Sequence, residues 1–261
     1  MLTLSDADLT RWLGELFWPF LRTLALFSAA PAFSSIAIPP RVKIALAFVV
    51  ACLVAATVKQ SAPLALSWAT VILVAEQVLV GLAIGFAMQL ALAAMAFAGD
   101  LIGVQMGFGF AGLLDIQNRF EVPVISDFFG LVGLLLFLGL NGHLVLLGVL
   151  VKSFDVVPIA VGSGVAVAGW RVLVGSGAAL FQMGVWLALP VVAVLAAAQL
   201  AMALMSRVVP QINIMSVGFS VFMWVGIAAT IALLPYFVPA VEHMIETGLK
   251  VVAATIGDRY R

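Results

Sequence analysis

The chain has 261 residues, of which 65% are apolar and only 9% are charged, with 12 basic and 12 acidic side chains. Soluble domains carry about 25% charged residues, so this composition excludes a soluble enzyme and a disordered tail and indicates an integral membrane protein. The formal net charge is zero and the basic residues are scattered, which excludes nucleic acid as a partner because phosphate binding requires a basic patch.

Runs with little or no charge predict about six apolar helical segments, because a membrane-spanning helix needs about 20 residues with few charges. In chain order they cover residues 9–30, 44–58, 64–98, 128–151, 172–206 and 208–241. From Pro239 onward, apolar residues at helical spacing alternate with charged ones and predict a short C-terminal amphipathic helix. No barrel-like alternation recurs, so the predicted fold is all-α.

Small residues recur at four-residue spacing at Gly81 and Gly85, and again at Ala193, Ala197 and Ala201. Such spacing lets two helix backbones approach closely in a membrane. We interpret both sets as packing positions.

Three ionisable residues lie in or beside apolar segments, namely Arg22, Glu76 and Asp100. Charges at membrane depth are costly, so they mark either a polar partner or a transport pathway. We expect each to be satisfied by a neighbouring helix or subunit, or to lie near an interface, and thus to serve assembly. The alternative is an ion-coupled secondary transporter that uses these groups.

The residue patterns of enzymes and metal sites are missing or out of context. The two histidines, His143 and His243, are a hundred residues apart, and Cys52 is the single cysteine. Residues 107–112 match the glycine pattern of dinucleotide-binding sites, but an Ala-rich helix precedes them where a strand is required. We therefore predict no catalytic residue, no metal and no cofactor.

Residues 99–127 form the most unusual stretch of the sequence, with five glycines interleaved with Met106, Phe108 and Phe110. Glycine loses more backbone freedom on ordering than any other residue, so the stretch predicts a loop or broken helix that changes shape. Irregular backbone at membrane depth requires protein or an aqueous cavity around it. We interpret the stretch as a pore-facing or re-entrant segment that closes a constriction; the alternative is an ordinary surface connector.

Several motifs resemble the FliR family of flagellar biosynthesis proteins over about residues 10–250. They are the run Gly99–Gly107 ending in Gln-Met-Gly, then Asn141-Gly142-His143, and later Pro210-Gln211-Ile-Asn213. Arg22 and the Pro-rich turn before Arg41 agree with the same family. The Asn-Gly-His and Ile-Asn-Ile sequences favour a flagellar member over the virulence-type injectisome homologue, which is the alternative.

The resemblance implies a single FliR-type domain over residues 1–261, with apolar segments arranged as bent hairpins. It also implies a subunit of the flagellar type III export gate, located in the bacterial inner membrane at the flagellar basal body. The implied partners are FliP-type and FliQ-type subunits, an FlhB-type subunit, the lipid bilayer and unfolded flagellar export substrates. By position, residues 103–121 would plug the export channel, and the candidate plug residues are Gly103, Gln105, Met106, Gly107, Phe108, Gly109, Phe110 and Gly112.

Overall fold

The computed structural model describes the backbone of residues 6–35, 38–58, 67–108, 124–208 and 214–257. Within these ranges the chain forms helices and contains no strand. The α-helices are α1 (Asp6–Ala29), α2 (Pro40–Thr57), α3 (Trp68–Gln105), α4 (Val124–Gly139), α5 (Gly142–Val156), α6 (Val167–Val208), α7 (Ile214–Leu233) and α8 (Phe237–Gly257), with a 3₁₀ turn at Leu234–Tyr236 before α8. The predicted all-α class is confirmed.

Four stretches of the described chain are long and apolar enough to cross a membrane. They are α2, α3, α6 and the nearly continuous Gly218–Gly257, and the bent pair α4 and α5 makes a fifth if it counts as one span. This confirms the prediction of an integral membrane protein.

The fourth predicted segment, residues 128–151, is not one helix, and this part of the prediction was wrong. Helix α4 ends at Gly139 and α5 begins at Gly142, so the predicted segment is broken between them. Asn141 adopts the left-handed conformation, with φ of 58°, and its carbonyl accepts hydrogen bonds from the N–H groups of Leu144 and Val145. Asn tolerates this conformation better than most residues, so the break is encoded locally and hydropathy does not detect it.

Helix α3 is longer than predicted, because Gly99 and Gly103 lie inside it rather than in an irregular stretch. Packing accounts for the difference. A Cβ at Gly99 would lie 2.7 Å from the carbonyl oxygen of Ile125, so the missing side chain lets α4 approach α3. Tertiary packing of this kind outweighs the weak helix propensity of glycine.

The C-terminal helix α8 is also longer than predicted, with 21 residues that follow α7 after a single 3₁₀ turn. One face is buried, and its members at helical spacing are Val241, Met244, Ile245, Gly248, Val252, Thr255 and Ile256. The exposed residues on the other face include Glu242, His243, Glu246 and Lys250. The helix is therefore amphipathic, as expected.

The chain divides into two compact units. The first unit comprises Met1–Ala91, Asn141–Gly177 and Ile245–Arg261, and the second comprises Leu92–Leu140 and Ala178–Met244. Large buried side chains form a core in each unit; in the first they include Trp18, Leu26, Phe27, Ile84, Met88 and Phe154, and in the second Met95, Ile102, Phe129, Phe137 and Phe237. That the whole chain is one functional domain stays a prediction.

The predicted close approach at Gly81 and Gly85 is confirmed in the first unit. A Cβ at Gly81 would overlap the carbonyl oxygen of Arg22, and one at Gly85 would lie 2.7 Å from that of Leu26. These two glycines of α3 therefore set the distance to α1. The three alanines of the second set, Ala193, Ala197 and Ala201, are exposed on α6.

Candidate functional site

Arg22 is fully buried in the first unit, at the junction of α1, α3 and α5. Its guanidinium donates four hydrogen bonds. Nε and Nη2 both reach Oε1 of Gln77, at 2.9 and 2.5 Å. Nη1 lies 3.0 Å from Oγ of Ser153, and Nη2 lies 2.9 Å from the carbonyl oxygen of Val157. The planar fork of arginine thus bonds to α3, α5 and the residue that follows α5.

The same guanidinium lies over the ring of Phe154, with its central carbon 3.9 Å from the ring centroid. The three acceptor atoms of these four hydrogen bonds are uncharged oxygens. The buried charge is therefore stabilised by dipoles and by the aromatic face. We call Arg22, Gln77, Ser153 and Phe154 the Arg22 cluster.

Glu76, the neighbour of Gln77 on α3, holds the connector between α5 and α6, residues 157–166. Its two carboxylate oxygens accept from the backbone N–H of Gly162 at 2.9 and 3.2 Å. Gly162 has a φ of 81°, a conformation that favours glycine. Two adjacent residues of α3 thus organise one connector, Glu76 directly at Gly162 and Gln77 through Arg22 at Val157.

These contacts bear on the transporter alternative. Arg22 and Glu76 are engaged with uncharged groups in the structure, and Asp100 is exposed on α3. An ion-coupling site would bring ionisable groups to face each other. Arg22 and Glu76 are instead satisfied by neighbouring segments of the same unit, and their role in assembly stays a prediction.

The described part of the predicted plug lies at the C-terminal end of α3 in the second unit. We call Gly103, Gln105, Met106, Gly107 and Phe108 the plug base. Helix α3 ends at Gln105, and Gly107 follows with a φ of 92° while its N–H donates to the carbonyl of Val104 at 3.0 Å. A residue in this left-handed conformation just after a helix terminates it and redirects the chain. Gly109, Phe110 and Gly112 lie outside the described residues.

Two residues of the plug base pack against α7. Met106 is fully buried, and a Cβ at Gly226 would lie 2.5 Å from its Cγ and 2.7 Å from its sulfur. The rings of Phe108 and Phe219 meet edge to face, with centroids 6.4 Å apart. Met106 is thus seated in a space that exists because residue 226 has no side chain.

Gln199 of α6 bonds to the plug base, and our sequence analysis missed it. The Gln105 amide nitrogen donates to Oε1 of Gln199 at 3.1 Å, and the Gln199 amide nitrogen donates to the carbonyl oxygen of Gln105 at 3.2 Å. The last carbonyls of a helix lack intrahelical partners, so this second bond caps α3 from the side. Gln199 stands in a long uncharged run, where nothing in the sequence singles it out.

The family motif Asn141-Gly142-His143 forms the bend between α4 and α5. Gly142 is buried, and Nδ1 of His143 is buried without a hydrogen-bond partner. The second motif, with Pro210, Gln211 and Asn213, lies outside the described residues. Among the described residues, no cluster of three His, Cys, Asp or Glu side chains could hold a metal ion.

Comparison with known proteins gives consistent matches. The family model of bacterial export proteins, family 1, matches residues 13–248. The chain is 36% identical to the flagellar biosynthetic protein FliR of Escherichia coli strain K12 over 258 residues, which cover 99% of this chain and 98% of that protein. It is 39% identical to FliR of Pectobacterium carotovorum over 94% of this chain and 93% of the relative, and 31% identical to FliR of Bacillus subtilis strain 168 over 76% and 78%.

The family model and the first two relatives cover nearly the whole chain, and they confirm the resemblance predicted from the motifs. The matched family consists of non-enzymatic proteins of the bacterial export apparatus. The chain is therefore a member of the FliR family of bacterial export proteins.

Proposed function

We propose that the chain is a subunit of the flagellar type III protein export gate, in the bacterial inner membrane at the flagellar basal body. It forms the export channel together with FliP-type and FliQ-type subunits and is joined by an FlhB-type subunit. Unfolded flagellar subunits pass through this channel. At rest, the segment that starts at the plug base closes it.

The plug base is the observation that carries this proposal. A long apolar helix ends at Gln105, turns at Gly107, and leads into a segment whose sequence is rich in Gly and Phe. Met106 and Phe108 are seated against α7, so the start of the segment is fixed while glycines follow it. A fixed base followed by a glycine-rich stretch suits a closing element that yields without unfolding its support.

Assembly with other membrane subunits is supported by the apolar surface that this chain leaves uncovered. Within their most apolar windows, only 17% of α2 and 22% of α6 are buried. The exposed side chains of α2 include Phe48, Val49 and Leu53, and those of α6 include Phe181, Trp186 and Leu200. Lipid and the apolar helices of partner subunits are the two media that cover such surfaces.

Deleting residues 107–112 tests the plug directly. We expect the complex with its FliP-type and FliQ-type subunits to assemble, because the Arg22 cluster and the α3 packing remain. Vesicles that contain this complex should leak ions and small dyes at rest. Unchanged permeability, with the full complex recovered, would refute the plug.

The transporter alternative makes the opposite prediction for the purified chain. A self-contained transporter is stable and active alone in detergent, whereas a gate subunit depends on co-expression with its partners. Glu76→Gln should then abolish ion-coupled flux in the purified chain if the transporter alternative holds. Under our proposal it impairs assembly more than export.

A further inference from the structure

We propose that Gln199 is a positioning residue that latches the plug base in the closed state, and that its amide pair with Gln105 breaks when the channel opens. This inference rests on the proposed function of residues 103–121 as a plug. It adds a residue of α6 to the closing mechanism and specifies the contact that must open.

The geometry of the pair suits a latch. Gln105 is the last residue of α3, and Gln199 holds it twice, once through its side chain and once through its backbone carbonyl. Both side chains are part-buried, so water competes only in part for these hydrogen bonds. Amide hydrogen bonds between helices in apolar surroundings stabilise a contact modestly. Such a contact holds a resting position and still breaks reversibly.

The residues on either side of the amide pair restrict where the backbone can move when the pair breaks. On the N-terminal side, Gly99 and Gly103 are buried in the contact between α3 and α4. On the C-terminal side, Gly107 adopts the left-handed conformation and provides a natural pivot. The amide pair lies between this fixed helix and this pivot, so its release loosens the end of α3 beside the pivot and leaves the rest of α3 in place.

The two hydrogen bonds allow a graded test. Gln199→Leu removes both bonds, whereas Gln105→Leu removes only the side-chain bond and leaves the backbone carbonyl of Gln105 as an acceptor. In vesicles that contain the assembled gate, we expect Gln199→Leu to raise the resting ion leak about threefold to tenfold, the range for one to two such bonds. Gln105→Leu should give a smaller rise. The matched control is Gln182→Leu, an exposed glutamine on the same helix, which should leave the leak unchanged.

A covalent link tests the same contact in cells even if the leucine variants fail to assemble. Cysteines at Gln105 and Gln199, joined by a short bis-maleimide, hold the latch closed, and Cys52→Ser removes the exposed native thiol. We expect the link to reduce secretion of flagellar subunits about tenfold relative to the same cells without cross-linker. Single-cysteine variants treated with the reagent control for its chemistry.

The outcomes separate the latch from the plug. Full secretion through a complex whose cross-link is verified by mass would overturn the latch, and so would a Gln199→Leu gate that is as tight as the parent. If deleting residues 107–112 causes a leak while Gln199→Leu does not, only the latch fails. If the deletion causes no leak either, the plug itself is refuted.

Discussion

The central carbon of the Arg22 guanidinium lies over the ring of Phe154, 3.9 Å from the ring centroid. This contact joins α1 to α5, while the edge of the same guanidinium bonds to Gln77 of α3. One side chain therefore fixes three helices of the first unit. Because the charge lies in an apolar core, the loss of these partners should destabilise the unit.

Replacing Arg22 should destabilise the first unit strongly. Arg22→Met leaves the acceptors of Gln77 and Val157 buried without donors, at a cost of about 2–4 kcal/mol. Arg22→Lys should rescue only part of this loss, because an ammonium group cannot bond as a planar fork. The midpoint of thermal unfolding in detergent measures the effect. Arg41→Met, at an exposed site, is the control, and equal midpoints for Arg22→Met and Arg41→Met would contradict the role of Arg22.

Gly81→Ala should force α1 away from α3. The new Cβ would overlap the carbonyl oxygen of Arg22 and lie 2.8 Å from Cβ of Ala25, so helix backbone must shift. We expect a loss of about 1–3 kcal/mol, as for other overpacked cores. Thermal unfolding measures this too.

The matched control for Gly81 is Gly175→Ala, because Gly175 is also helical and a Cβ there would meet nothing within 4 Å. Alanine has the higher helix propensity, by about 1 kcal/mol, so this control should be neutral or stabilising. A Gly81→Ala protein as stable as the Gly175→Ala protein would show that the interhelical distance is not fixed here.

Gly107→Ala should disturb the plug base through backbone strain. Residue 107 has a φ of 92°, where a Cβ costs about 1–2 kcal/mol. Gly162→Ala introduces similar strain at a φ of 81° in the other unit, with nothing within 4 Å of the new Cβ. Both variants should lose similar stability, but only Gly107→Ala should raise the resting ion leak of the assembled gate. The same leak from both variants would argue against a special role for the plug base.

Glu76 should act through the connector that it holds. Glu76→Ala removes both acceptors of the Gly162 N–H and should expose residues 157–166 to faster proteolysis. Glu76→Gln keeps one oxygen acceptor and should lose about 1 kcal/mol or less. Cleavage rates in detergent and the yield of co-purified partner subunits measure the two effects. Equal cleavage of the Ala variant and the parent would mean that the connector is held by other contacts.

The sequence predicted the helical class, the family and the outline of five segments, because these follow from charge spacing and motifs. It also predicted close packing at Gly81 and Gly85, since small residues four positions apart let two helix backbones approach. The prediction of one segment over residues 128–151 failed at Asn141, because hydropathy does not detect a residue in the left-handed conformation. Asn followed by Gly is nevertheless a turn signal. Sequence reasoning also failed at Gly99 and Gly103, where packing against α4 outweighs propensity.

Contacts between distant residues were beyond sequence reasoning. Arg22 could be flagged as a costly charge, but its acceptors stand 55, 131 and 135 residues further along the chain. Gln199 stands 94 residues from Gln105, in a run without any distinguishing pattern. Only the folded arrangement brings such residues together, so the sequence could suggest a plug by position but could not predict the contact between Gln105 and Gln199.

Helix α6 has 42 residues, which at about 1.5 Å each gives a rod of about 63 Å. Its uncharged part, residues 172–206, spans about 52 Å, whereas the hydrocarbon core of a bilayer is about 30 Å thick. A straight helix would have to tilt by about 55° from the bilayer normal to fit this length within the hydrocarbon core, beyond the usual tilt of up to about 40°. At the usual tilt, we expect part of the apolar surface of α6 to extend past the acyl chains, where neighbouring subunits would cover it.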